Sequence, residues 1–237
     1  MALTDNLLAF YKLSDLTDSS GNNRTLTNNG NVSFASGKIG NAAVFDGSSN
    51  YFSVDNFPAF GTGDFTVQAW YYTDSTNMYP AALEFGNHQN ADSIGFFLAN
   101  SGEYRLKPFI YSAAFFDPTT TPDISIGQWN HVVWKRTNSM FKIFVNGVAS
   151  EEIEFSNEIV TPFQTSIGYA KGADGGGDYY VNGSIDAVGI WNRALSDAEV
   201  AELYNNGTGL ELDGVVQPTL VKMQAPVKFF GKIKFGV

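Results

Sequence analysis

The sequence predicts a predominantly β protein built as an antiparallel sandwich, and three compositional features support this fold class. Aromatic residues make up 15% of the 237 residues, charged residues only 16%, and 24 residues are glycine. Aromatic side chains favour strands and glycines favour tight turns, whereas a helical protein needs more Glu and Lys on its solvent faces. Hydrophobic residues at 43% supply a sizeable core and exclude a largely disordered chain.

Short strand-like segments recur along the chain with turn residues between them, which is typical of an antiparallel sandwich. Residues 65–70 alternate between the two faces of a strand, and residues 141–145 precede Asn146-Gly147. Asn-Gly predicts a hairpin because both residues accept positive φ. The predicted strands span residues 7–13, 42–46, 51–54, 64–72, 81–86, 94–99, 104–111, 129–135, 140–146, 165–170 and 184–191.

One helix is predicted near the C-terminal end. Ser196 and Glu199 have the spacing of a capping box, in which Ser196 caps the first turn and Glu199 reaches back to the Ser196 amide. Val200 and Leu203 then fall on one face, and Gly207 stops the helix. We therefore expect a short helix laid against the sandwich rather than a second domain.

The uneven charge predicts a body at 1–214 and a basic, aromatic C-terminal arm at 215–237. Four of the 14 basic residues lie in the arm, so the body holds 10 basic residues against all 24 acidic ones. An acidic body repels phosphate backbones, which argues against nucleic-acid binding. The arm alternates lysines with apolar residues. It is either a tail that stays flexible or packs on its own body, or an arm that docks on a neighbouring subunit, including a second copy of this chain.

Several classes of protein are excluded by what the sequence lacks. The chain has no cysteine, which removes disulfides and thiolate chemistry. No apolar run approaches the roughly 20 residues that span a bilayer. The first residues have no basic stretch followed by a long apolar one, so no secretory signal is expected there.

Five segments carry a recognisable pattern when read in order. They are GKIGNAAVFDG at 37–47, FTVQAW at 65–70, WNHVV at 129–133, FVNG at 144–147 and GSIDAVGIWNRALSDAE at 183–199. Together, across residues 7–209, they resemble the laminin-G-like and pentraxin-like branch of the concanavalin A-like lectin and glucanase domains. The resemblance implies an all-β fold: a two-sheet antiparallel jelly-roll sandwich with one short C-terminal helix, to which this sequence adds an extended C-terminal tail.

Catalysis is not expected. Glycosidases on related jelly rolls place their carboxylates on one strand as Glu-x-Asp-x-x-Glu, and this chain has no such run. Glu151, Glu152 and Glu154 follow the hairpin, where charges on a solvated edge are ordinary. His131 lies at the start of a strand that resembles the family's Trp-x-x-His pattern, so we expect it to be structural. No serine stands in a nucleophile-elbow context.

The resemblance also implies a calcium site, because pentraxin-like domains bind Ca²⁺ through two loops on one face. Here the first loop offers Asp92, and the second, glycine-rich loop offers Asp174 and Asp178. Calcium takes six to eight oxygen ligands, which carboxylates and loop carbonyls supply. Lys171 stands close to where the family is acidic, so an ordinary Gly/Asp-rich surface turn stays open as the alternative.

A sugar-binding surface needs an aromatic face for the apolar side of the ring and polar partners for its hydroxyls. Tyr72, Tyr79, Tyr179 and Tyr180 lie in or near loops and are the candidate ligand-binding residues. The alternative is that these rings plug the ends of the sandwich. Two other aspartates have structural roles in this prediction: Asp18 caps a turn, and Asp186 forms hydrogen bonds inside the fold.

The family mostly binds glycans, proteins or membranes, or acts as a spacer in surface proteins and virions. The sequence predicts a non-catalytic structural or accessory protein of a virion, such as a capsid decoration protein or tail-fibre component of a phage. Its lectin-like body would attach to surface glycans and its arm to other virion subunits, after folding in the host cytoplasm and release by lysis. The alternative is a secreted or cell-surface carbohydrate-binding or adhesion module. A glycoside hydrolase comes third.

Overall fold

Antiparallel strands account for most of the described chain. The computed structural model describes residues 1–75, 81–85, 94–100, 104–110, 114–115, 120–159, 164–171 and 178–212. The strands are β1 (Leu7–Tyr11), β2 (Thr27–Asn29), β3 (Ser33–Ser36), β4 (Asn41–Asp46), β5 (Tyr51–Val54), β6 (Phe65–Tyr72), β7 (Ala81–Phe85), β8 (Ile94–Asn100), β9 (Tyr104–Ile110), β10 (Ala114–Phe115), β11 (Asn130–Thr137), β12 (Met140–Val145), β13 (Val148–Ala149), β14 (Ile153–Glu154), β15 (Thr165–Ile167), β16 (Tyr169–Ala170), β17 (Tyr179–Tyr180) and β18 (Asn182–Trp191). The helix α1 (Asp197–Tyr204) follows. The arm 215–237 lies outside the described residues, so its docking and the domain boundary at 214 stay predictions.

Two large sheets contain nearly all of these strands. The nine-stranded sheet has the order β13-β12-β11-β6-β18-β4-β3, with β1 beside β18 and β14 beside β12. The seven-stranded sheet has the order β10-β9-β8-β7-β15-β5-β2, and β16 and β17 pair separately. Every strand pair is antiparallel. The two-sheet antiparallel sandwich with one short helix is therefore confirmed.

The alternation predicted for β6 serves two apolar cores at once. Phe65, Val67 and Ala69 point into the core between the two sheets. Trp70 faces the other way, into a second core on the outer face of the nine-stranded sheet. The second core also contains Leu203 of α1, so the helix covers this outer face. Because side chains alternate along a strand, a strand at the centre of such a sheet is buried on both faces.

The helix begins at the predicted capping box. The Ser196 hydroxyl accepts a hydrogen bond from the Glu199 amide at 3.3 Å, and the Glu199 carboxylate accepts one from the Ser196 amide at 2.7 Å. The Arg193 guanidinium also donates to both carboxylate oxygens of Glu199, at 2.7 and 3.1 Å. The Arg193 hydrogen bond is the main reason that the pKa of Glu199 falls to about 2, so its charge persists at ordinary pH.

Two predicted strands are divided or shortened in the structure at a residue with positive φ, and most other strand bounds differ from the prediction by one or two residues. The strand predicted at 165–170 is divided into β15 and β16 by Gly168, whose φ is +86°. The strand predicted at 7–13 ends at Tyr11, and Leu13 has a φ of +56°. Left-handed residues leave the extended conformation that sheet pairing needs. The short strands β2, β3, β10, β13, β14 and β17 were not predicted.

One end of the sandwich is fastened by the buried side chain of Arg136. Its guanidinium donates hydrogen bonds of 2.8 Å to the carbonyls of Gly61, Gly63 and Asn157, which lie in two separate loops. The same group lies over the ring of Phe65, 5.1 Å from its centroid. A buried guanidinium needs hydrogen-bond acceptors for its N–H groups. The carbonyls of the two loops are those acceptors, so Arg136 holds the loops together.

A buried polar network lies on the outer face of the nine-stranded sheet. The Gln68 amide donates to the carbonyl of Ala187 at 2.6 Å, so its oxygen faces Nε2 of His131 at 2.7 Å. His131 must therefore donate from Nε2, and its Nδ1 has no hydrogen-bond partner among the described residues. Burial lowers the pKa of His131 to about 3. On β18, next to Ala187, burial raises the pKa of Asp186 to about 6, although the backbone amides of Lys38 and Ile39 donate hydrogen bonds to its carboxylate.

This network predicts a loss of stability in mild acid. In the unfolded chain a histidine has a pKa near 6.5, so between about pH 6.5 and 3 the unfolded state binds the proton that folded His131 refuses. We expect this histidine to reduce the free energy of unfolding by about 1.4 kcal/mol per pH unit through the centre of that range. The variant His131→Gln keeps a distal N–H donor but cannot titrate in this range. In chemical denaturation measured from pH 7 to 4, it should lack the part of the decrease in the free energy of unfolding that His131 causes.

Asp186→Asn is the matched control with the opposite sign. The raised pKa of Asp186 makes the folded state bind an extra proton between about pH 4 and 6, so this carboxyl adds stability as the pH falls through that range. Removing it should make the acid loss steeper. Equal pH slopes in the two variants and the unaltered protein would contradict the assignment.

Candidate functional site

Three tyrosine rings meet at one end of the seven-stranded sheet. Tyr51 begins β5, and Tyr169 and Tyr180 stand opposite each other on β16 and β17. The ring centroid of Tyr169 lies 4.6 Å from that of Tyr51 and 5.0 Å from that of Tyr180. All three side chains are half-buried, so part of each ring is open to solvent. We call Tyr51, Tyr169 and Tyr180 the tyrosine cluster.

A close approach between backbone and ring positions this cluster. Gly168 turns the chain out of β15, and a Cβ at this residue would come within 2.4 Å of the Phe45 ring. The carbonyl of Gly168 accepts a hydrogen bond from Val181 at 2.9 Å, and the carbonyl of Val181 accepts one from Gly47 at 2.8 Å. The β16–β17 pair is therefore anchored to the turn between β4 and β5, which leads into Tyr51.

The turn between β4 and β5 is organised by the carboxylate of Asp46. This group accepts hydrogen bonds from the backbone amides of Ser48, Ser49 and Asn50, and from the Ser49 hydroxyl. Burial raises the pKa of Asp46, but these hydrogen bonds outweigh burial and hold the pKa far below its usual range. Asp46 is thus a fixed negative charge at the end of the sheet.

Two further carboxylates lie against the cluster. The Tyr169 hydroxyl donates to Asp178, and burial followed by the charges of Asp178 and Glu84 raises the pKa of Tyr169. The pKa of Tyr180 is also raised, by burial first and then by the charges of Asp178 and Asp46. Both phenols therefore stay protonated and can donate hydrogen bonds.

A row of polar residues continues from the cluster across the outer face of the seven-stranded sheet. Glu84, Ser166 and Ser53 stand opposite one another on β7, β15 and β5. They face away from the core, because their neighbours along the strands, such as Leu83 and Ile167, belong to it. The Glu84 carboxylate accepts a hydrogen bond from the Lys171 amide at 3.1 Å, which links the row to the β16–β17 pair.

The predicted ligand-binding residues do not form one site. Tyr180 belongs to the tyrosine cluster, whereas Tyr72 lies on the nine-stranded sheet with its ring 5.7 Å from that of Trp129. The Tyr72 hydroxyl donates to Asp74 at 2.9 Å. Tyr179 precedes Tyr180 on β17, so its side chain leaves the strand on the opposite face. Tyr79 lies outside the described residues.

The predicted calcium ligands are only partly within the described chain. Asp92 and Asp174 lie outside it, while Asp178 is exposed and accepts the hydrogen bond from Tyr169. Within the described ranges, no group of three or more His, Asp or Glu side chains is arranged to hold a metal ion. The calcium site stays a prediction.

Sequence reasoning missed four residues of the site, namely Tyr51, Tyr169, Asp46 and Glu84. Their partners are distant in sequence, so no local pattern connects them. The signal that was present is the Gly168-Tyr169 pair inside a predicted strand, since an isolated glycine in a strand indicates a bend or a close backbone approach.

Two aspartates have the structural roles predicted for them. Asp18 accepts hydrogen bonds from the amides of Phe10, Ser20 and Arg24 and so caps its turn. Asp186 accepts the amides of Lys38 and Ile39 inside the fold.

Comparisons with known proteins identify relatives of this architecture. A family model described as Concanavalin A-like lectin/glucanases superfamily matches residues 46–201. No curated protein matches the chain in sequence. Among the described helices, none combines the length and the apolar character needed to cross a bilayer.

Three solved structures illustrate the similarity of fold. Domain 4 of AbnA, a GH43 extracellular arabinanase from Geobacillus stearothermophilus, solved in complex with arabinotriose, is 22% identical with a TM-score of 0.68, over 86% of this chain and 98% of that one. The binding domain of Paraclostridial Mosquitocidal Protein 1 is 17% identical with a TM-score of 0.60, over 87% and 53%. The binding domain of Botulinum neurotoxin DC, solved with rat synaptotagmin II, is 13% identical with a TM-score of 0.64, over 86% and 52%. This chain thus spans about half the length of the two toxin binding domains.

The position of Gly168 predicts a large effect of a single methyl group. Gly168→Ala adds a side chain to a residue with φ of +86° and drives it against Phe45. The strain and the overlap together should lower the free energy of unfolding by about 3 kcal/mol in chemical denaturation. Gly40→Ala is the control, because its φ is +70° but its Cβ would meet no atom within 4 Å, so only the backbone cost of about 1 kcal/mol applies. Equal losses in the two variants would contradict the proposed packing.

Proposed function

The chain belongs to the concanavalin A-like lectin/glucanases superfamily, and on that premise we propose that it is a non-catalytic glycan-binding module whose sugar-binding surface is the tyrosine cluster. The observation that carries this proposal is the grouping of three half-exposed tyrosine rings with carboxylates at their edge. Aromatic faces pack against the apolar face of a sugar ring, and carboxylates accept hydrogen bonds from its hydroxyls.

The cluster is preorganised, which supports a binding role. The Tyr169 phenol is held by Asp178, and the strand that carries it is anchored through Gly168. Tyrosine has few rotatable bonds, so little conformational entropy remains to be lost when a ligand binds. A surface that is already ordered converts more of its contact energy into affinity.

The titration of the carboxyl groups supports binding rather than hydrolysis. A glycosidase needs a general acid with a raised pKa next to a second carboxylate. Burial raises the pKa of Asp186 to about 6, but this carboxyl group is enclosed beneath the amides of Lys38 and Ile39. At the tyrosine cluster the pKa of Asp46 is lowered, so this group stays ionised and accepts hydrogen bonds.

The relatives lend support of the same kind. One similar domain was solved with arabinotriose, and another was solved as a binding domain of a neurotoxin with SialylT. Arabinotriose and SialylT are the ligands of those two proteins, not of this chain. They support a glycan as the ligand class here and provide arabinotriose as a first probe.

The setting of the module is a separate proposal. The secreted or cell-surface alternative gains support from the relatives, which include a domain of an extracellular arabinanase and a neurotoxin binding domain. No described residue bears on the virion assignment or on attachment through the arm 215–237, so both stay predictions from the sequence. Mass spectrometry distinguishes the two settings. The chain is expected in purified virus particles if it is a virion protein, and in cell-free culture medium if it is secreted.

Calcium at the β16–β17 pair is proposed as a cofactor. Asp178 would be one ligand, with Asp92 and Asp174 predicted as others, and the ion would be held by carboxylate oxygens beside the tyrosine cluster. A hundredfold excess of Ca²⁺ over its Kd should stabilise the fold by about 2.7 kcal/mol. The measurement is a thermal melt in millimolar Ca²⁺ against one in chelator, with Asp178→Asn expected to lose the difference and Glu158→Gln to keep it. Identical melts would remove calcium from the proposal.

Removing one ring of the cluster is the direct test of sugar binding. Tyr180→Ala should weaken glycan affinity about tenfold, since stacking on an aromatic ring contributes about 1.4 kcal/mol. The measurement is calorimetric titration with arabinotriose, followed by a glycan array, and Tyr179→Ala is the control because its ring leaves β17 on the other face. The same incubations should release no reducing sugar. Unchanged affinity in Tyr180→Ala would place the binding surface elsewhere.

A further inference from the structure

We infer that the tyrosine cluster selects neutral or amino-bearing glycans and rejects anionic ones, such as glycans with sialic or uronic acid groups. The inference rests on the proposed function and adds a ligand class to the same site. It stands on three carboxylates, Asp46, Asp178 and Glu84, whose charges all act on the cluster.

The three carboxylates approach the cluster from three different elements. Asp46 ends β4, Asp178 lies immediately before β17, and Glu84 is on β7. Asp178 accepts the hydroxyl hydrogen of Tyr169, and Glu84 accepts the amide of Lys171. A ligand lying across the rings therefore meets the exposed carboxylates of Asp46 and Asp178, while the Glu84 side chain is buried.

The position of Asp46 is fixed by its surroundings. Three backbone amides and one hydroxyl donate to its carboxylate, at 2.8 to 3.3 Å. A carboxylate held in this way cannot swing aside when an anionic group approaches. The same hydrogen bonds favour its ionised form, so its charge persists at the pH of most biological fluids.

Within the described part of the chain, the ion pairs formed by basic residues lie away from the tyrosine cluster. Residues 168–183, which include β16 and β17, contain one lysine, Lys171, and two aspartates. Among the other described basic residues, Lys135 and Lys142 bond to acidic residues near α1, and Arg193 bonds to Glu199. Lys12 bonds to Glu211 at 3.2 Å. These groups neutralise charge away from the tyrosine rings.

The expected order of affinity follows from elementary electrostatics. A carboxylate on the sugar would lie next to carboxylates of the protein, and this repulsion is only partly screened by salt. An ammonium group would be attracted by the same carboxylates and by the electron-rich faces of the tyrosines. Neutral hydroxyls need only hydrogen-bond acceptors, which Asp46 and Asp178 provide.

The test compares three trisaccharide probes that differ in charge: the trimers of glucosamine, N-acetylglucosamine and glucuronic acid, followed by neutral and sialylated panels on a glycan array. Titrations use the full chain in chelator, because a bound Ca²⁺ would offset part of the carboxylate charge. The neutral and amino probes should bind at least about tenfold more tightly than the anionic ones, with the gap narrowing as salt is raised.

Charge-neutralising variants show whether the named carboxylates cause the selectivity. In Asp46→Asn combined with Asp178→Asn, the ratio of anionic to neutral Kd should fall about tenfold. Asn keeps the shape and one acceptor oxygen, and circular dichroism melts check that the variant is folded. Glu158→Gln removes an exposed carboxylate from another loop and should leave the ratio unchanged. Asp178→Lys should go further and favour anionic probes.

The outcomes separate the inference from the proposed function. If anionic glycans bind as tightly as neutral ones, or the ratio ignores Asp46 and Asp178, the selectivity is overturned while glycan binding stands. If no probe of any charge binds, the proposed function fails and the selectivity fails with it.

Discussion

The nine-stranded sheet has to bury both of its faces, and the rest of the molecule is arranged around that constraint. Phe65 and Val67 fill the core between the sheets, while Trp70 of the same strand needs a second apolar cover. The helix α1 and the segment after it provide that cover, with Leu203 and Leu212 packed in the second core. The outer face of this sheet is thereby closed over much of its area. On the seven-stranded sheet the polar row of Glu84, Ser166 and Ser53 is buried, and the partly exposed residues are those of the tyrosine cluster at its end.

Different polar side chains organise the loops at the two ends of the sandwich. Near the start of β6, Arg136 donates to the carbonyls of Gly61 and Asn157 and lies over an aromatic ring, so the loops there are fastened. Near the finish of β6 the loops are organised instead by Asp46, whose donors are backbone amides of its own turn. Arg136 is buried and donates to three carbonyls, whereas the Asp46 carboxylate is exposed and can accept further hydrogen bonds.

Local patterns in the sequence predicted the fold because the features that define it are local. The alternation in β6, the Asn146-Gly147 turn and the capping box at Ser196 each depend on residues within a few positions of one another. The resemblance of the five segments to a known family then supplied the two-sheet jelly-roll architecture. The site was predicted only in part, because Tyr51 and Tyr169 meet through the pairing of β5 with β15, a contact across more than a hundred residues. When strand pairing brings together side chains so far apart in the chain, no local residue spacing in the sequence indicates that they will meet.

The distribution of proton affinities explains why this arrangement suits binding better than chemistry. Burial of Asp186 raises its pKa towards that of a general acid, but the carboxylate is enclosed by the amides of Lys38 and Ile39. The groups of the tyrosine cluster and the Asp46 carboxylate have the opposite tendency, because their protonation states are held fixed. The Asp46 carboxylate is kept ionised and the Tyr169 and Tyr180 phenols are kept protonated, which gives strong acceptors beside firm donors. A surface whose groups hold their protonation states over a wide pH range can donate and accept hydrogen bonds without exchanging protons, which agrees with the proposed glycan-binding role.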